Sequence, residues 1–391
     1  MAKKVLYVRS APYDLDINSY NIQEIGLGKA FCELGYDFDF IAFKKSSPYR
    51  SIIFYNSGAN VARYIEKPRI RVDRCGINLN VCKKKFLKQY DIIICSEYFQ
   101  IESYLISRNT KNAVIYSGPY YNIFLFKFLS YIYDAIFTKL INKNIKCIFV
   151  KSKLAYSFLK KKGYTKLYTL GVALDTLRFD NEIIIKSETQ RLIDYMTNNR
   201  CILYVGTLSD RKNFPFLLKI YQKVIENYPD VKFVIIGKSV INPLKKLLGK
   251  KDSNYEKECM SKFPQNVKDG IIRVQRIDNP QLKFIYPLAK AFLLPSKIEI
   301  FGMVLLEAMY FKTPVITSYN GGSATLIEGK ETGLVLKDFD PNLWANAIGK
   351  YLDDSQYVEK VKNNAHELVL NHFNWKNLAN QIISISTDGL D

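Results

Sequence analysis

The sequence predicts an α/β protein made of two doubly wound halves, each a parallel sheet flanked by helices. Short runs of apolar and β-branched residues alternate with longer amphipathic stretches along most of the chain. A polar segment from Arg178 to Arg200 interrupts that alternation near the middle. The chain has 391 residues, 48% of them hydrophobic and 24% charged, enough for two full cores. The expected division is a first domain over 1–180, a linker over 181–199, a second domain over 200–371 and a closing helix over 372–391.

In the first half, Val5 to Val8 reads as a buried strand, Ile22 to Leu34 as an amphipathic helix ended at Gly35, and Phe38 to Phe43 as the next strand. That is the opening βαβ unit of a doubly wound sheet. Pro48 to Lys88 is basic and reads as irregular, with Arg69, Arg71, Arg74, Lys83, Lys84, Lys85 and Lys88 available to an anionic surface or simply to solvent. Strands follow at Asp91 to Ser96, Ala113 to Tyr116 and Ile148 to Val150, then a helix through Lys162, and a short strand at Tyr168 to Leu170. Between Tyr120 and Lys146 lies an aromatic, lysine-bearing helix, which suits either a membrane interface or the core of a sheet domain. The second half restarts with a strand at Cys201 to Val205, a helix at Phe214 to Asn227, and strands at Val231 to Ile236 and Ile271 to Val274.

Composition narrows the function classes. No apolar run reaches membrane-spanning length, and the amino-terminal apolar stretch is too short for a signal peptide, so a cytoplasmic protein is expected. Seven scattered cysteines without a C-x-x-C pair, and two histidines, argue for reduced thiols and against a zinc site. Asp-x-Asp occurs at Asp14/Asp16, Asp37/Asp39 and Asp338/Asp340. Asp340 before Pro341 reads as a helix cap, and no metal is expected at any of the three. Residues 1–180 carry 29 Lys and Arg against 14 Asp and Glu, three quarters of the net +20. Such a surplus fits an anionic partner or a solvated lysine surface. No nucleic-acid motif accompanies it.

The chemistry concentrates between Leu293 and Gly322. A strand at Ala291 to Leu294 turns at Pro295 and Ser296, a helix opens near Gly302, and a second strand at Pro314 to Thr317 is closed by Gly321 and Gly322. Glu299 precedes that helix, and Glu307 lies within it among Val304, Leu305, Leu306, Ala308 and Met309. A carboxylate in apolar surroundings must find donors or lose its charge. Sugar hydroxyls are suitable donors, although a solvated Glu299 and a Glu307 paired with a buried cation fit the same letters. The helix end at Gly302 is an anion site, and Gly206 followed by Arg211, Lys212 and Asn213 forms a second one.

PS-x2-E-x-FG-x4-EA followed by TPV and GG resembles the donor-binding signature of the family-4 (group 1) glycosyltransferases of the GT-B fold, of the bacterial surface-polysaccharide type. YVGTLSDRKNFPFLL, from Tyr204 to Leu218, resembles that family's phosphate loop. Ile148 to Phe179 resembles the end of its first domain, and His372 to Ile382 its closing helix, which implies packing back on the first domain. The resemblance implies two Rossmann-like domains facing a cleft and a retaining, metal-independent transfer of a hexose from a nucleotide diphosphate sugar. It needs no cofactor, and the donor is expected to be a UDP-sugar, with GDP- or dTDP-sugars as alternatives. It assigns Lys212, Arg211 and Glu299 to catalysis. Gly206, Thr207, Arg211, Lys212, Ile277, Glu299, Ile300, Phe301, Gly302, Met303, Val304 and Glu307 are assigned to donor binding, with Glu299 on the hexose and Glu307 on the ribose.

This chain departs from the family pattern at four places. The loop from Ser10 to Asn21 has no glycine pair; Thr207 stands where an arginine is usual, a task Arg211 is expected to take; Thr325 stands where an acid is usual; and both histidines, His366 and His372, are near the carboxyl terminus, whereas relatives often carry one in the first domain. The segment Tyr116 to Asn122 supplies Ser117, Gly118 and Tyr120 toward substrate instead, consistent with a donor such as a deoxyhexose. The expected acceptor is a saccharide linked to polyprenyl diphosphate, met at an anionic membrane surface through the first domain, in capsule or O-antigen assembly. A protein or small-molecule acceptor and a non-catalytic nucleotide-sugar binder are the alternatives.

Overall fold

A computed structural model of the chain describes all residues except 1–2, 18, 20–21, 46–48, 73–74, 125, 181, 241–251 and 388–391; the side chains of 72, 127 and 252–254 are also outside it. Arg74, named above, and the side chain of Lys127 in the aromatic stretch therefore lie outside the described residues. The contacts divide the chain into two compact units. One comprises Met1–Asp175 together with His372–Asp391, the other Thr176–Asn371. The segment expected as a linker contains the helix Ser187–Asn198, and that helix belongs to the second unit.

The first unit is built on eight strands. They are β1 (Lys3–Arg9), β2 (Tyr36–Lys44), β3 (Arg50–Ser57), β4 (Asn60–Pro68), β7 (Ile92–Ser96), β8 (Ala113–Ser117), β9 (Ile148–Val150) and β10 (Leu167–Thr169), in the spatial order β10-β9-β8-β7-β1-β2-β4-β3. All neighbours are parallel except β3 and β4. β5 (Ile70–Val72) and β6 (Cys75–Ile77) pair separately. The β1, β7 and β8 strands carry near-continuous buried runs, as a sheet covered on both faces requires.

The region from Pro48 to Lys88, expected to be irregular, is instead mostly strand. Its hairpin of β3 and β4 extends the sheet edge, with a register shift between Ile53 and Tyr55. β3 mixes exposed and half-buried positions while β4 is more buried, as an outermost strand and its inner neighbour should be, and the basic residues around them obscured that period. Ile101–Asn109 is a further helix not anticipated from the sequence. The aromatic helix starts at Lys127 and runs to Asn144.

Asp37 and Asp39 are occupied within the fold. Asp37 accepts from the Val61 amide at 3.1 Å, and Asp39 accepts from Arg63 at 2.7 Å and from the Tyr90 hydroxyl at 2.8 Å. Asp14 pairs with Arg69 at 2.5 Å. The carboxyl-terminal helix Trp375–Thr387 lies against the first helix, Gln23–Glu33; a Cβ built on Gly26 would meet Trp375 Nε1 at 2.1 Å, so only glycine admits the indole there.

The second unit holds a six-stranded, all-parallel sheet. Its strands are β11 (Cys201–Val205), β12 (Lys232–Ile236), β13 (Ile271–Val274), β14 (Ala291–Leu294), β15 (Val315–Ser318) and β16 (Leu334–Leu336), ordered β13-β12-β11-β14-β15-β16. The helix Phe214–Asn227 and the helix Pro341–Asp353 pack on it, the latter capped by Asp340, whose side chain accepts from the Asn342 amide at 2.9 Å. Trp344, Phe216 and Phe339 meet edge to face at this helix pair.

Candidate active site

The order of the second sheet places the candidate site. From β11 the chain winds outward through β12 and β13, then returns to β14 on the other side of β11. Connections leave β11 and β14 toward opposite sides, which opens a crevice at their carboxyl ends, where ligands of doubly wound sheets bind. β11 delivers Gly206 to that crevice and β14 delivers Pro295 and Ser296. Gly206 has φ +153°, and a Cβ on the neighbouring Gly237 would lie 1.8 Å from the Gly206 carbonyl oxygen. Two backbones touch there because neither residue has a side chain.

Beyond Gly206 the chain makes a tight loop. The Tyr204 hydroxyl donates to the Thr207 carbonyl at 2.8 Å, and the Lys212 amide to Ser209 Oγ at 3.3 Å. Asn213 adopts a left-handed conformation, φ 59°, immediately before the helix Phe214–Asn227. This turn directs Lys212 inward, leaving it 7% exposed. Its ammonium group donates to Glu299 Oε2, and Arg211 Nη1 donates to the same oxygen at 3.2 Å and to the Ile298 carbonyl at 3.0 Å. The Lys297 amide donates back to the Arg211 carbonyl at 2.9 Å. The loops after β11 and β14 are thereby joined by a nearly buried ion pair with an exposed arginine at its rim. Burial pushes the Lys212 ammonium below its ordinary pKa, and Glu299 acts against that shift.

The helix Met303–Tyr310 starts four residues after Glu299. Gly302 stands at its cap with φ 82°, a left-handed position in which glycine carries no Cβ penalty. The helix has no side-chain cap, and its amino-terminal end follows closely on Glu299 in the chain. A turn deeper, Glu307 is 1% exposed. Asn279 Nδ2 donates to its Oε1 at 3.0 Å and the Tyr286 hydroxyl to its Oε2 at 2.9 Å. Burial raises the Glu307 pKa, while those two hydrogen bonds and the charge of Arg178 lower it. Glu307 thus meets neutral donors, whereas Glu299 meets cations.

The second glycine turn closes the same volume. The Gly321 amide donates to the Glu299 carbonyl at 3.1 Å, and a Cβ on Gly322 would lie 1.8 Å from the Phe301 carbonyl. Asn320 caps the short helix Gly321–Leu326 through a capping box with Ser323, and the Thr325 hydroxyl donates to the Gly321 carbonyl at 2.9 Å. Of the remaining donor-binding candidates, Phe301 and Val304 are buried, Met303 and Ile300 half-buried, and Ile277 half-buried in the loop after β13. Asn279 and Tyr286 went unnoticed in the sequence; the Asn-Pro step at 279–280 signals only a turn.

Comparison with known proteins places this arrangement. Residues 190–368 match the family model described as glycosyl transferases group 1. The match lies within the second unit, which resembles the group 1 glycosyl transferases over those residues. A D-inositol 3-phosphate glycosyltransferase of Corynebacterium urealyticum is 30% identical over 205 residues, covering 50% of this chain and 45% of that protein. The chain spans between 45% and 62% of the length of the first curated relatives it matches. The fold is shared with a glycosyltransferase of Rickettsia africae (TM-score 0.70, 16% identity, 100% and 99% of the two chains). It is shared also with the Anabaena protein HepE, solved in complex with UDP and glucose (TM-score 0.66, 15% identity, 99% and 100%). Two parallel-sheet units of this kind are the GT-B class.

The first unit has a switch point of its own, between β1 and β7. The Ser10 amide donates to Ser96 Oγ at 3.2 Å and joins the two strand ends. Arg9 makes a two-bond contact with the Glu24 carboxylate at 3.1 and 3.0 Å. Glu97 follows β7 with φ 65°, a conformation that costs a non-glycine residue energy. It is held there by the fully buried Ser117 hydroxyl, donating at 2.8 Å, and by the Gly118 amide at 3.1 Å. Two of the predicted substrate-facing residues therefore converge on a third, Glu97, which sequence reasoning passed over. A glutamate directly after a fully apolar strand was its one signal. Tyr120, half-buried, packs edge to face on Tyr121 at 5.5 Å.

Beneath this switch point Glu102 is 1% exposed. It accepts from Ser10 Oγ and, at 2.6 Å, from the Asn78 amide. No cation is among these partners, and burial pushes its pKa up to about 8.

Proposed function

We propose that this chain is a glycosyltransferase that moves a hexose from a nucleotide diphosphate sugar to a saccharide acceptor with retention of anomeric configuration. The convergence of Lys212 and Arg211 on Glu299, beside the amino-terminal end of the helix at Gly302, carries this reading. Breaking the bond between the anomeric carbon and the diphosphate oxygen leaves negative charge on the departing nucleotide. Lys212, Arg211 and the helix end lie where that charge would be met, an electrostatic contribution of the oxyanion-hole kind.

Glu299 serves two purposes in this reading. Without donor it keeps Lys212 charged and in place. With donor, the diphosphate takes over the cations and the carboxylate accepts from hexose hydroxyls. Glu307, with one hydrogen bond on each oxygen, retains acceptor capacity for the ribose. The acceptor hydroxyl attacks the same face the nucleotide leaves, its oxygen bonds to the anomeric carbon, and its proton passes to the departing phosphate. This step involves neither a protein base nor a metal.

A UDP-sugar is the first candidate donor, supported by the UDP complex of the structurally similar HepE, and a deoxyhexose is consistent with the absence of a histidine from residues 1–175. On the first unit, Glu97 and Glu24 are carboxylates suited to the hydroxyls of a sugar acceptor. A polyprenyl-diphosphate-linked saccharide, in capsule or O-antigen assembly, is the acceptor class that also explains the basic surplus of residues 1–180.

The test is nucleotide release from UDP-, GDP-, ADP- and dTDP-sugars, with and without a lipid-linked saccharide extract, for wild type and Glu299→Gln. The expected result is release from one donor, stimulated by extract and lost in the variant. Release that survives Glu299→Gln would remove that residue from the site. Nucleotide binding without release under any condition would favour a nucleotide-sugar-binding protein.

A further inference from the structure

The helix Lys127–Asn144 is apolar on the wrong side as well as the right one. Its inner face follows the expected rule: Tyr133, Ile141 and Ile145 are buried, the Tyr133 hydroxyl donates to the Tyr98 carbonyl at 2.8 Å, and the Phe137 ring lies 4.6 Å from Tyr133. Its outer face should then be polar. Instead Phe128, Tyr131, Ile132, Ala135, Ile136 and Leu140 all lie exposed, at intervals of three and four that form one stripe. Exposure of the large members runs from 36% at Leu140 to 73% at Tyr131. Phe126, just before the helix, extends the stripe and stacks obliquely on Phe128 at 5.9 Å.

Charge on the stripe is of one sign. Lys139 and Lys143 continue it at its carboxyl end, and both are exposed. The helix's one acid, Asp134, is on the flank and neutralised by Lys162. Lys166 Nζ donates to the Ile145 carbonyl at 3.1 Å, adding a cation where the helix ends. Among the described residues no helix is long and apolar enough to cross a membrane.

We propose that this stripe is a docking face for an acidic phospholipid surface, with the helix lying in the plane of the interface. Phe126, Phe128, Tyr131, Ile132, Ile136 and Leu140 enter the boundary between headgroups and acyl chains, and Lys139 and Lys143 reach lipid phosphates. A bilayer fits better than a protein partner for two reasons. Aromatic and aliphatic residues edged by lysine without acids are complementary to a uniformly anionic, apolar-backed surface. The same unit also carries three quarters of the chain's net positive charge. The inference deepens the lipid-linked acceptor reading and rests on it for purpose, while its physical basis is separate from the donor site.

Flotation with vesicles of phosphatidylcholine alone, and of phosphatidylcholine with phosphatidylglycerol, tests it on the full chain without substrates. Wild type is expected to float with the mixed vesicles and not with phosphatidylcholine. Lys139→Glu with Lys143→Glu should weaken binding by at least about 5-fold per site, the worth of one lysine near an anionic surface. Tyr131→Ser with Ile132→Ser and Ile136→Ser should abolish flotation; these side chains are exposed, so the fold is retained, as circular dichroism would verify. Nucleotide release from a soluble donor should stay unchanged in both variants, which separates failure here from failure of the donor site. Wild type that does not bind acidic vesicles, or binding indifferent to the triple serine variant, overturns the proposal. So does a concentration-dependent dimer that the serine variant dissolves while vesicles leave it untouched, since a second copy would then be the occupant.

Discussion

The two switch points share a topology and differ in charge. In the second unit, the ends of β11 and β14 bring two cations onto one carboxylate, Glu299, beside a glycine-opened helix end. In the first unit, the residues around the ends of β1 and β7 include three carboxylates: Glu24 is paired with Arg9, while Glu97 and Glu102 accept from hydroxyls and backbone amides. In the proposed reading, the same crevice becomes an anion site where the loops bring Lys and Arg, and a hydroxyl-binding site where they bring acids. Topology selects the place and side chains select the ligand.

The largest expected effect tests the acidic side. The unfolded Glu102 titrates near its ordinary pKa of 4.5 and the folded one at about 8, so the folded protein holds an extra proton between them. Stability is therefore greatest below pH 4.5, falls as pH rises toward 8, and levels off above. At about 1.4 kcal/mol per unit the swing from this one group is as much as about 5 kcal/mol. Glu102→Gln, which preserves both hydrogen bonds, should flatten that slope in urea titrations run from pH 5 to 9. A slope equal to wild type would mean that Glu102 is ionised in the folded protein.

On the cationic side, Lys212→Ala should lower kcat for nucleotide transfer by about 10²–10³, the loss typical of removing one preorganised donor to a developing anion. A smaller effect than that of Arg211→Ala would reverse the roles of the buried and rim cations. Next comes Glu307→Gln, which sets an amide N–H against a neighbouring donor and should cost about 1–3 kcal/mol in thermal or denaturant unfolding. It should also weaken free nucleotide binding. Intact nucleotide affinity would leave Glu307 with a purely structural task between Asn279 and Tyr286. The smallest effect is expected for Glu97→Gln, a roughly 10-fold rise in acceptor KM with kcat preserved, about 1.4 kcal/mol. A fall in kcat instead would bring Glu97 to the reacting sugar.

Much of the second unit was legible because its signals are local. β13, β14 and the helix Phe214–Asn227 coincide with the sequence reading, and Gly302 sits at the helix cap where its spacing placed it. Glycine, proline and short buried runs act over a few residues, so a sequence displays them directly. Partners distant in sequence are not displayed. Asn279 and Tyr286 reach Glu307 across 28 and 21 positions, and Lys212 reaches Glu299 across 87. Lys212 was found only because a motif marked it. In the first unit, the β3–β4 hairpin was hidden because an edge with one wet face mixes lysine and arginine into its alternation. The Tyr131 stripe was left open between membrane interface and core, because an apolar letter does not say which face it occupies until packing shows it.

The return of residues 372–391 to the first unit bears on how the chain folds as it is made. The second unit is contiguous from Thr176 to Asn371, so all of it has been synthesised before the last segment of the first unit exists. The face around Gly26 that receives Trp375 stays uncovered throughout that interval. A nascent chain halted before Trp375 therefore carries a finished donor unit behind an unfinished partner, with an apolar groove open to chaperones. Translation of the final helix is the event that closes it.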